Sequence, residues 1–435
     1  MSVVLARSSA IAGLAVPPPS KSAGHRALIC AALAALQNRG DGASCRIARL
    51  RDSKEAVLSD DLEATLGALA ALGVSAEWDG DTLLCKAAAL PDSPPVVDCG
   101  ESGSTLRFLL PVFAALGVPA RFTGRGRLPQ RPLGVYADCL PPHGVSLTFP
   151  ADGSLPLSLS GRLTGGTYLL PGDVSSQFIS GLLLALPLCE EDSLLRLSTP
   201  LESADYVGMT LQALRLAGIT VYPCPDGWRI PGGQRYRPFQ TAVEGDWSQA
   251  AFLLTAGALG GEIRVRGLKP DSAQGDRAVL SVLRRMGAEL LMSQGVIRCR
   301  RTRLHGVDID ASQIPDLVPI LAVAAATAEG ETHITGAARL RLKESDRLAA
   351  TADGLSRLGA RVEERPDGLI LKGVTRLKGG RVSGYRDHRI VMSLTVASLV
   401  CDGPVEITDA KSVQKSWPSF FTDYQRIGGD VHVVD

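Results

Sequence analysis

A unit of roughly 70 residues recurs about six times along this chain, and it limits the possible folds more than any other feature. A turn-marking glycine in LGV (Gly73) returns in HGV (Gly144), AGI (Gly218), MGA (Gly287), LGA (Gly359) and IGG (Gly428), at steps of 71, 74, 69, 72 and 69 residues. Each closes a helix-like segment and opens a strand-like one: SAEW, SLTF, TVYP, AELLM, ARVEER, DVHVV. A second series interleaves with the first. Apolar stretches such as AAFLLTAGALGGEIRV, LVPILAVAAATAEGETHIT and IVMSLTVASLVCDGPVEIT run through Gly261, Gly330 and Gly403, 69 and 73 residues apart. Fixed-period self-similarity makes each repeat one supersecondary block, unable to bury its apolar face alone. Within a block the order reads strand, helix, strand, helix, hairpin.

The two helices of a block differ. One is apolar nearly all round (ALICAALAAL, TLRFLLPVFAAL, FISGLLLALPL, AAFLLTAGAL, LVPILAVAAATA, IVMSLTVASLV) and belongs inside a core. The other is amphipathic, as in DDLEATLGALAAL and DRLAATADGLSRL, and is expected at the surface. A chain of 435 residues is too long for one ordinary core, which predicts two domains of three repeats each. Their buried helices should lie behind sheets that show one face to solvent. The crossover between halves is expected in RPFQTAVEGD, residues 237–246.

Composition excludes several functions. A net charge of +1 gives no basic field for nucleic acid or an anionic membrane. The longest apolar runs stop near 12 residues, against about 18 for a membrane span. Nine scattered cysteines, with no CxxC pair and no histidine at ligand spacing, argue against structural zinc. They fit a reducing compartment, so a cytoplasmic location is expected. The N-terminal MSVVLARSSAIAGLAV faintly resembles a signal peptide, but the PPPSKS that follows reads better as a strand exit than a cleavage site.

The chemistry sits at the helix starts. SKSAGHR (20–26), GESGSTLR (100–107), SSQF (175–178), GDWSQ (245–249), IPD (314–316) and RDHR (386–389) precede the apolar helices. SDD (59–61), RLPQRP (127–132), ESADY (202–206), QGDR (274–277), KESDR (343–347) and KSWPSFF (415–421) precede the amphipathic ones. Ser and Asp there can be plain N-caps. A helix N-terminus also offers free N–H groups and about half a positive charge, a natural anion site. Lys and Arg are disfavoured at that end. Their recurrence at Lys21, Arg26, Arg107, Arg127, Lys343, Arg347, Arg389 and Lys415 is costly without anions to meet. The pattern points to a cleft for small polyanions bearing phosphate and carboxylate groups.

Acid–base candidates lie beside these cations: Asp316 in IPDLVP and Glu344 in KESDR. Alone, Asp316 reads equally as an N-cap and Glu344 as a capping or salt-bridge carboxylate. Together in a cationic cleft they become an acid–base pair. His388 could orient a phosphate or be structural. The chain has no GxxxxGK[ST], GxSxG or HExxH motif and no dinucleotide fingerprint. Transfer between two small anionic reactants, driven by positioning and electrostatics, is the chemistry left.

Nine motifs in order (PSKSAGHRAL, ESGSTLRFLLP, GRLPQRP, VSSQF, VEGDWSQAAF, IPDLVP, RLKESDRL, RDHRIVM and KSWPSFF) carry a resemblance over essentially the whole chain. The chain resembles the 5-enolpyruvylshikimate-3-phosphate synthase family. That resemblance implies a two-domain inverse α/β fold of six βαβαββ repeats, three per domain, with buried helices. It places residues 1–19 and 243–435 in one domain, on the phosphoenolpyruvate side. Residues 20–242 form the other, on the shikimate 3-phosphate side. Substrates are expected between domains that close over them.

The implied reaction is attack of the 5-hydroxyl of shikimate 3-phosphate on C2 of phosphoenolpyruvate with protonation at C3. Phosphate is then lost from a tetrahedral intermediate. By motif, Lys21, Ser22 and Arg26 hold shikimate 3-phosphate, with Ser175, Ser176, Gln177, Ser203, Asp316 and Lys343 completing its pocket and Tyr206 nearby. Lys21, Gly103, Arg127, Gln177, Arg347, Arg389 and Lys415 are implied for phosphoenolpyruvate. Asp316 is the base for the 5-hydroxyl and Glu344 carries the proton at C3. Lys21 and Lys343 neutralise developing charge. No metal or organic cofactor is implied, and a monomer is expected.

The chain departs from the family pattern at three places. Glu101 stands where many members have Asn, Phe108 where Pro is common, and Arg339 where some place an Asn. Arg107 is expected to hold its loop rather than touch substrate. Two alternatives stand beside this reading. A sister enzyme transferring enolpyruvyl to UDP-N-acetylglucosamine should have a loop cysteine in TGRGRLPQRP, which has none. A non-catalytic polyanion-binding repeat protein explains the cations but not Asp316 with Glu344.

Overall fold

The computed structural model describes residues 2–39, 44–50 and 57–434. The chain divides into two compact units, one of Pro19–Val243 and the other of Met1–Pro18 with Glu244–Asp435. Among the described residues each has its own hydrophobic core and three four-stranded sheets.

One block shows the logic of all six. Strand Asp308–Asp310 leads through helix Val318–Ala326 to strand Glu331–Thr335, then through helix Arg347–Arg357 to the hairpin Arg361–Arg365 and Gly368–Lys372. The first two strands are parallel, with Ile309 opposite Ile334. Parallel neighbours need a long crossover, which the apolar helix supplies. The hairpin then folds back so that its second strand lies beside Glu331–Thr335. The other five sheets have the same order of parallel pair and antiparallel pair, the latter a hairpin in all but the sheet that holds Val3–Arg7. Three of them borrow a strand from far along the chain, one of these being Ile11–Ala15, which lies parallel to Gly261–Arg266. Val3–Arg7 pairs antiparallel with both Val405–Thr408 and Asp430–Val434, and Gln240–Ala242 lies parallel to Cys45–Ala48. This is the expected architecture of six βαβαββ repeats with buried helices.

The repeat glycines have a physical cause. Gly73, Gly144, Gly218, Gly287, Gly359 and Gly428 all have φ between 77° and 94°, the left-handed region that ends a helix and that a Cβ opposes. Burial follows the two helix types. Every residue of Val318–Ala326 is buried, and all of Trp247–Gly260 except Gly260. The three apolar helices Trp247–Gly260, Val318–Ala326 and His388–Ala397 pack on one another within their unit. Helix Arg347–Arg357 opens to solvent only along Ala349, Asp353, Ser356 and Arg357, one face at helical spacing.

Helix Gly103–Ala115 contains Pro111, which removes a hydrogen bond to the carbonyl four residues earlier. That carbonyl, of Arg107, accepts instead from the Tyr136 hydroxyl at 2.6 Å. Among the described residues, no helix is long and apolar enough to cross a membrane.

The enclosed helices set the stability. Leu321→Ala, at a site with 0% exposure, should cost about 2–5 kcal/mol in urea unfolding. Leu291→Ala, at 53% exposure on an outer strand, should change stability by about 0.5 kcal/mol or less. Similar losses at both sites would show that the helix is not the core element described.

Candidate active site

In the unit Glu244–Asp435, three helix or turn starts bring their charged residues together. Pro315–Leu317 is a 3-10 turn running into the apolar helix, and it presents Asp316. Asp346 caps helix Arg347–Arg357 by accepting from the Ala349 N–H, so Lys343, Glu344 and Arg347 bracket that start. Asp387 caps helix His388–Ala397 by accepting from the Arg389 N–H at 2.9 Å. Lys415 ends the turn Ala410–Lys415 and is buried.

Arg347 is the hub. Its guanidinium is 2% exposed and meets three carboxylates. Nη1 donates to Asp316 Oδ1 at 2.9 Å, Nη2 to Glu344 Oε2 at 2.7 Å, and Nε to Asp387 Oδ2 at 2.8 Å. Arg389 Nη2 donates to the other Asp316 oxygen at 3.0 Å, and its Nη1 to the Asp316 carbonyl at 3.2 Å. Lys343 Nζ stands 3.8 Å from Asp316 and Lys415 Nζ 3.9 Å from Glu344. Asp387 is fully buried and also accepts from Ser345 Oγ at 2.9 Å. Four cations thus face three carboxylates.

These charges set protonation. Burial pushes the Asp316 carboxyl up, but Arg389, Lys343 and Arg347 outweigh it and hold the group well below the usual carboxylate range. Burial works against the Arg347 charge too, yet Asp387, Glu344 and Asp316 raise its pKa above the ordinary arginine value. Asp276, on the turn Gly275–Ala278, has the opposite balance. Burial first, then Asp316, push its carboxyl up to about 6 against the pull of Arg389. Neighbouring carboxylates driven apart in this way are a common mark of acid–base sites.

The unit Pro19–Val243 gathers helix starts as well, capped by serines: Ser20, Ser102 and Ser175 each accept from a backbone N–H of the first turn. Lys21 Nζ pairs with Asp61 at 2.7 Å. Asp61 is buried in the first turn of helix Asp60–Ala71. Arg26 is 3% exposed. It donates to the carbonyls of Ser22 (2.8 Å) and Tyr206 (2.7 Å), to Thr210 Oγ1 (2.7 Å) and to Ser180 Oγ (3.4 Å). No carboxylate is among these acceptors, and desolvation brings its pKa down to about 10. Gln177 accepts from Arg107 Nη1 at 2.8 Å and donates to Ser104 Oγ at 2.9 Å. Ser176 is buried beside it. Ser22 is half-buried in the first turn of its helix. Ser203 is buried in a left-handed conformation (φ 53°) just before helix Ala204–Leu216.

Around Gly103 the structure differs from the expectation. Arg127 is exposed at the start of the turn Leu128–Gln130. The guanidinium at Gly103 is that of Arg131, close enough that a Cβ there would come within 2.6 Å of Nη1. Both arginines lie in RLPQRP. They flank the turn Leu128–Gln130, and the expectation named Arg127, whereas it is Arg131 that lies against Gly103. Arg107 Nη2 donates to the Pro132 carbonyl at 2.9 Å, tying this loop to helix Gly103–Ala115. The Glu101 carboxylate lies against Gly126, and Arg339 donates to the Ser312 carbonyl at 2.6 Å.

Sequence reasoning therefore gathered most of the charged cluster but missed Arg131, Asp61, Asp276 and Asp387. The last three were visible as SDD, QGDR and RDHR, each an acid at a helix start, and were passed over as plain caps.

A family model described as EPSP synthase (3-phosphoshikimate 1-carboxyvinyltransferase) matches residues 5–424. A 3-phosphoshikimate 1-carboxyvinyltransferase of Clostridium acetobutylicum is 43% identical over 420 residues, covering 95% of each chain. One from Clostridium perfringens is 41% identical over 435 residues, covering 99% of each. Among solved structures, an EPSP synthase from Acinetobacter baumannii superposes with a TM-score of 0.81 at 27% identity, covering 100% of both chains. The enolpyruvyl transferase NikO from Streptomyces tendae shares the fold, with a TM-score of 0.78 at 20% identity over 100% of this chain and 98% of its own.

Two tests address the buried charges. Asp387→Asn leaves Arg347 without its fully buried partner and should cost about 3–5 kcal/mol in denaturant unfolding; a loss below about 1 kcal/mol would mean that the pair is not structural. Asp276 has its folded pKa raised, so its contribution is fully present below the unfolded value near 3.8 and is lost as pH rises through about 6. Asp276→Asn should flatten the decline in stability over that window, measured by thermal unfolding against pH.

Proposed function

The chain belongs to the EPSP synthase family, and we propose that it transfers the enolpyruvyl group of phosphoenolpyruvate to the 5-hydroxyl of shikimate 3-phosphate, releasing phosphate. The observation that carries the reading is the buried Arg347 held among Asp316, Glu344 and Asp387, with Arg389 and Lys415 beside it. Phosphoenolpyruvate carries a carboxylate and a phosphate, and guanidinium forks match both. Arg347, Arg389 and Lys415 are assigned to it, together with Lys21, Gln177 and the backbone at Gly103. Arg131, rather than the exposed Arg127, is assigned as the guanidinium beside Gly103.

Shikimate 3-phosphate is assigned to Lys21, Ser22, Arg26, Ser175, Ser176, Gln177 and Ser203, with Asp316 and Lys343 towards its hydroxyls. Arg26 suits this role because burial leaves it with neutral acceptors only, and an anion would complete its charge.

In the addition step the 5-oxygen bonds to C2 of phosphoenolpyruvate as its proton passes to Asp316, and C3 takes a proton from Glu344. In the elimination step the C2–O bond to phosphate breaks with its electron pair leaving on the phosphate, and C3 returns its proton to Glu344 as the double bond re-forms. The departing phosphate takes up the proton held by Asp316, which restores both carboxyl groups. Lys21 and Lys343 stabilise the charge that develops on the phosphate and on the attacking oxygen. A reactive cysteine plays no part. The cysteine nearest the RLPQRP loop on its C-terminal side, Cys139, has its thiol pushed up to about 12 by burial, so it is not a nucleophile at neutral pH.

Purified protein should release phosphate with shikimate 3-phosphate plus phosphoenolpyruvate and not with UDP-N-acetylglucosamine as acceptor. Lys21→Ala should lower kcat/KM by at least about 100-fold. Release only with the UDP-sugar would overturn the reading.

A further inference from the structure

Cations at helix starts need anions, and for Arg347, Arg389, Lys343 and Lys415 those anions are already supplied from within. Asp316 meets Arg347 at 2.9 Å, Arg389 at 3.0 Å and Lys343 at 3.8 Å. Glu344 meets Arg347 at 2.7 Å and Lys415 at 3.9 Å. The third carboxylate is of another kind. Asp387 is fully enclosed and held by the Arg389 N–H, the Ser345 hydroxyl and Arg347 Nε, so it is a permanent counter-ion. The Asp316 and Glu344 side chains keep 17% and 12% exposure, within reach of a ligand. The two carboxylates assigned to proton transfer are thus also the two that a ligand can displace.

We propose that Asp316 and Glu344 hold the place of the substrate anion, and that phosphoenolpyruvate, by taking over Arg347, Arg389 and Lys415, converts Asp316 from a counter-ion into a base. The inference rests on the functional assignment above. The groups facing Asp316 are Arg389 from helix His388–Ala397, Lys343, Glu344 and Arg347 from the start of helix Arg347–Arg357, and Asp276 from the turn Gly275–Ala278. Burial, Glu344 and Asp276 all favour the protonated form of Asp316, and Arg389, Lys343 and Arg347 oppose them. An arriving anion neutralises two of those cations and adds negative charge of its own. Of the three opposing cations Lys343 is then the one left uncompensated, and the proton affinity of Asp316 rises. By linkage, anion affinity and proton affinity are coupled reciprocally. The base is poor while the site is empty and competent when its reaction partner is bound.

The test uses the whole protein with phosphoenolpyruvate and no acceptor, so no turnover occurs. Carbon-13 labelling of aspartate carboxyls, with the Asp316 signal assigned through Asp316→Asn, follows its protonation against pH. Without ligand the group should stay ionised down to the acid limit of the folded state. With saturating phosphoenolpyruvate its midpoint should enter the ordinary carboxylate range, about pH 4 or above. A carboxyl that stays ionised with phosphoenolpyruvate bound, or a protein that binds none, overturns the proposal.

Glu344→Gln gives a second measurement that does not depend on the folding of Asp316→Asn. With one competing carboxylate removed, calorimetry should show phosphoenolpyruvate bound about tenfold more tightly than by wild type; equal or weaker binding counts against the idea. The functional assignment fails separately. Phosphate release by wild type with an unmoved Asp316 midpoint sinks only this proposal, whereas a moved midpoint without release sinks only the assignment.

Discussion

Enclosing the Arg347 guanidinium is the constraint on which the rest of its site depends. A buried cation is costly unless its donors are matched by anions held in good geometry. Here the anions come from three separate chain segments, at Asp316, Glu344 and Asp387. The start of one apolar helix, the start of an amphipathic helix and the start of the next apolar helix must therefore converge on one point. If any of the three moved by an ångström or two, a charge would be left bare in a low-dielectric site. The three segments are thus tied to one guanidinium, and preorganised charge of this kind is usually the largest single contribution that enzymes make to such reactions.

The fold supplies that convergence at little cost. Each block runs strand, buried helix, parallel strand, and three such blocks within a unit direct their apolar helices inward. The helix starts then gather at common points, with caps already in place: serines in Pro19–Val243 and aspartates in Glu244–Asp435. Neutral serine caps leave the positive ends of their helices available to phosphate. Aspartate caps partly cancel those ends, and in that unit it is arginine and lysine side chains that carry the positive charge. The two units thus cap their helix starts differently on the same repeat.

Legibility from sequence varied with the range of the interaction. The six blocks, their helix types and the left-handed glycines were visible because periodicity and turn chemistry are local. Lys21, Arg26, Asp316, Lys343, Glu344, Arg347, Arg389 and Lys415 stood out as charges in costly positions. Asp61, Asp276 and Asp387 did not, since an acid at a helix start looks like an ordinary cap until its partner is known. Arg127 and Arg131 share one short loop, and only the close approach to Gly103 separates them.

The sequence by itself determined the repeat, the class of fold and the cationic character of the helix starts, because the helix, strand and cap patterns are local and their recurrence is counted along the chain. Tertiary structure decided which charges meet. Pairings such as Arg389 with Asp316, 73 residues apart, or Lys21 with Asp61, 40 apart, depend on how blocks pack, and no local pattern encodes that. The protonation of Asp316 and Asp276 belongs to the same class: one carboxyl is held low and the other is raised to about 6. The cause is how many cations packing leaves around each buried group, a quantity that exists only once the chain has folded.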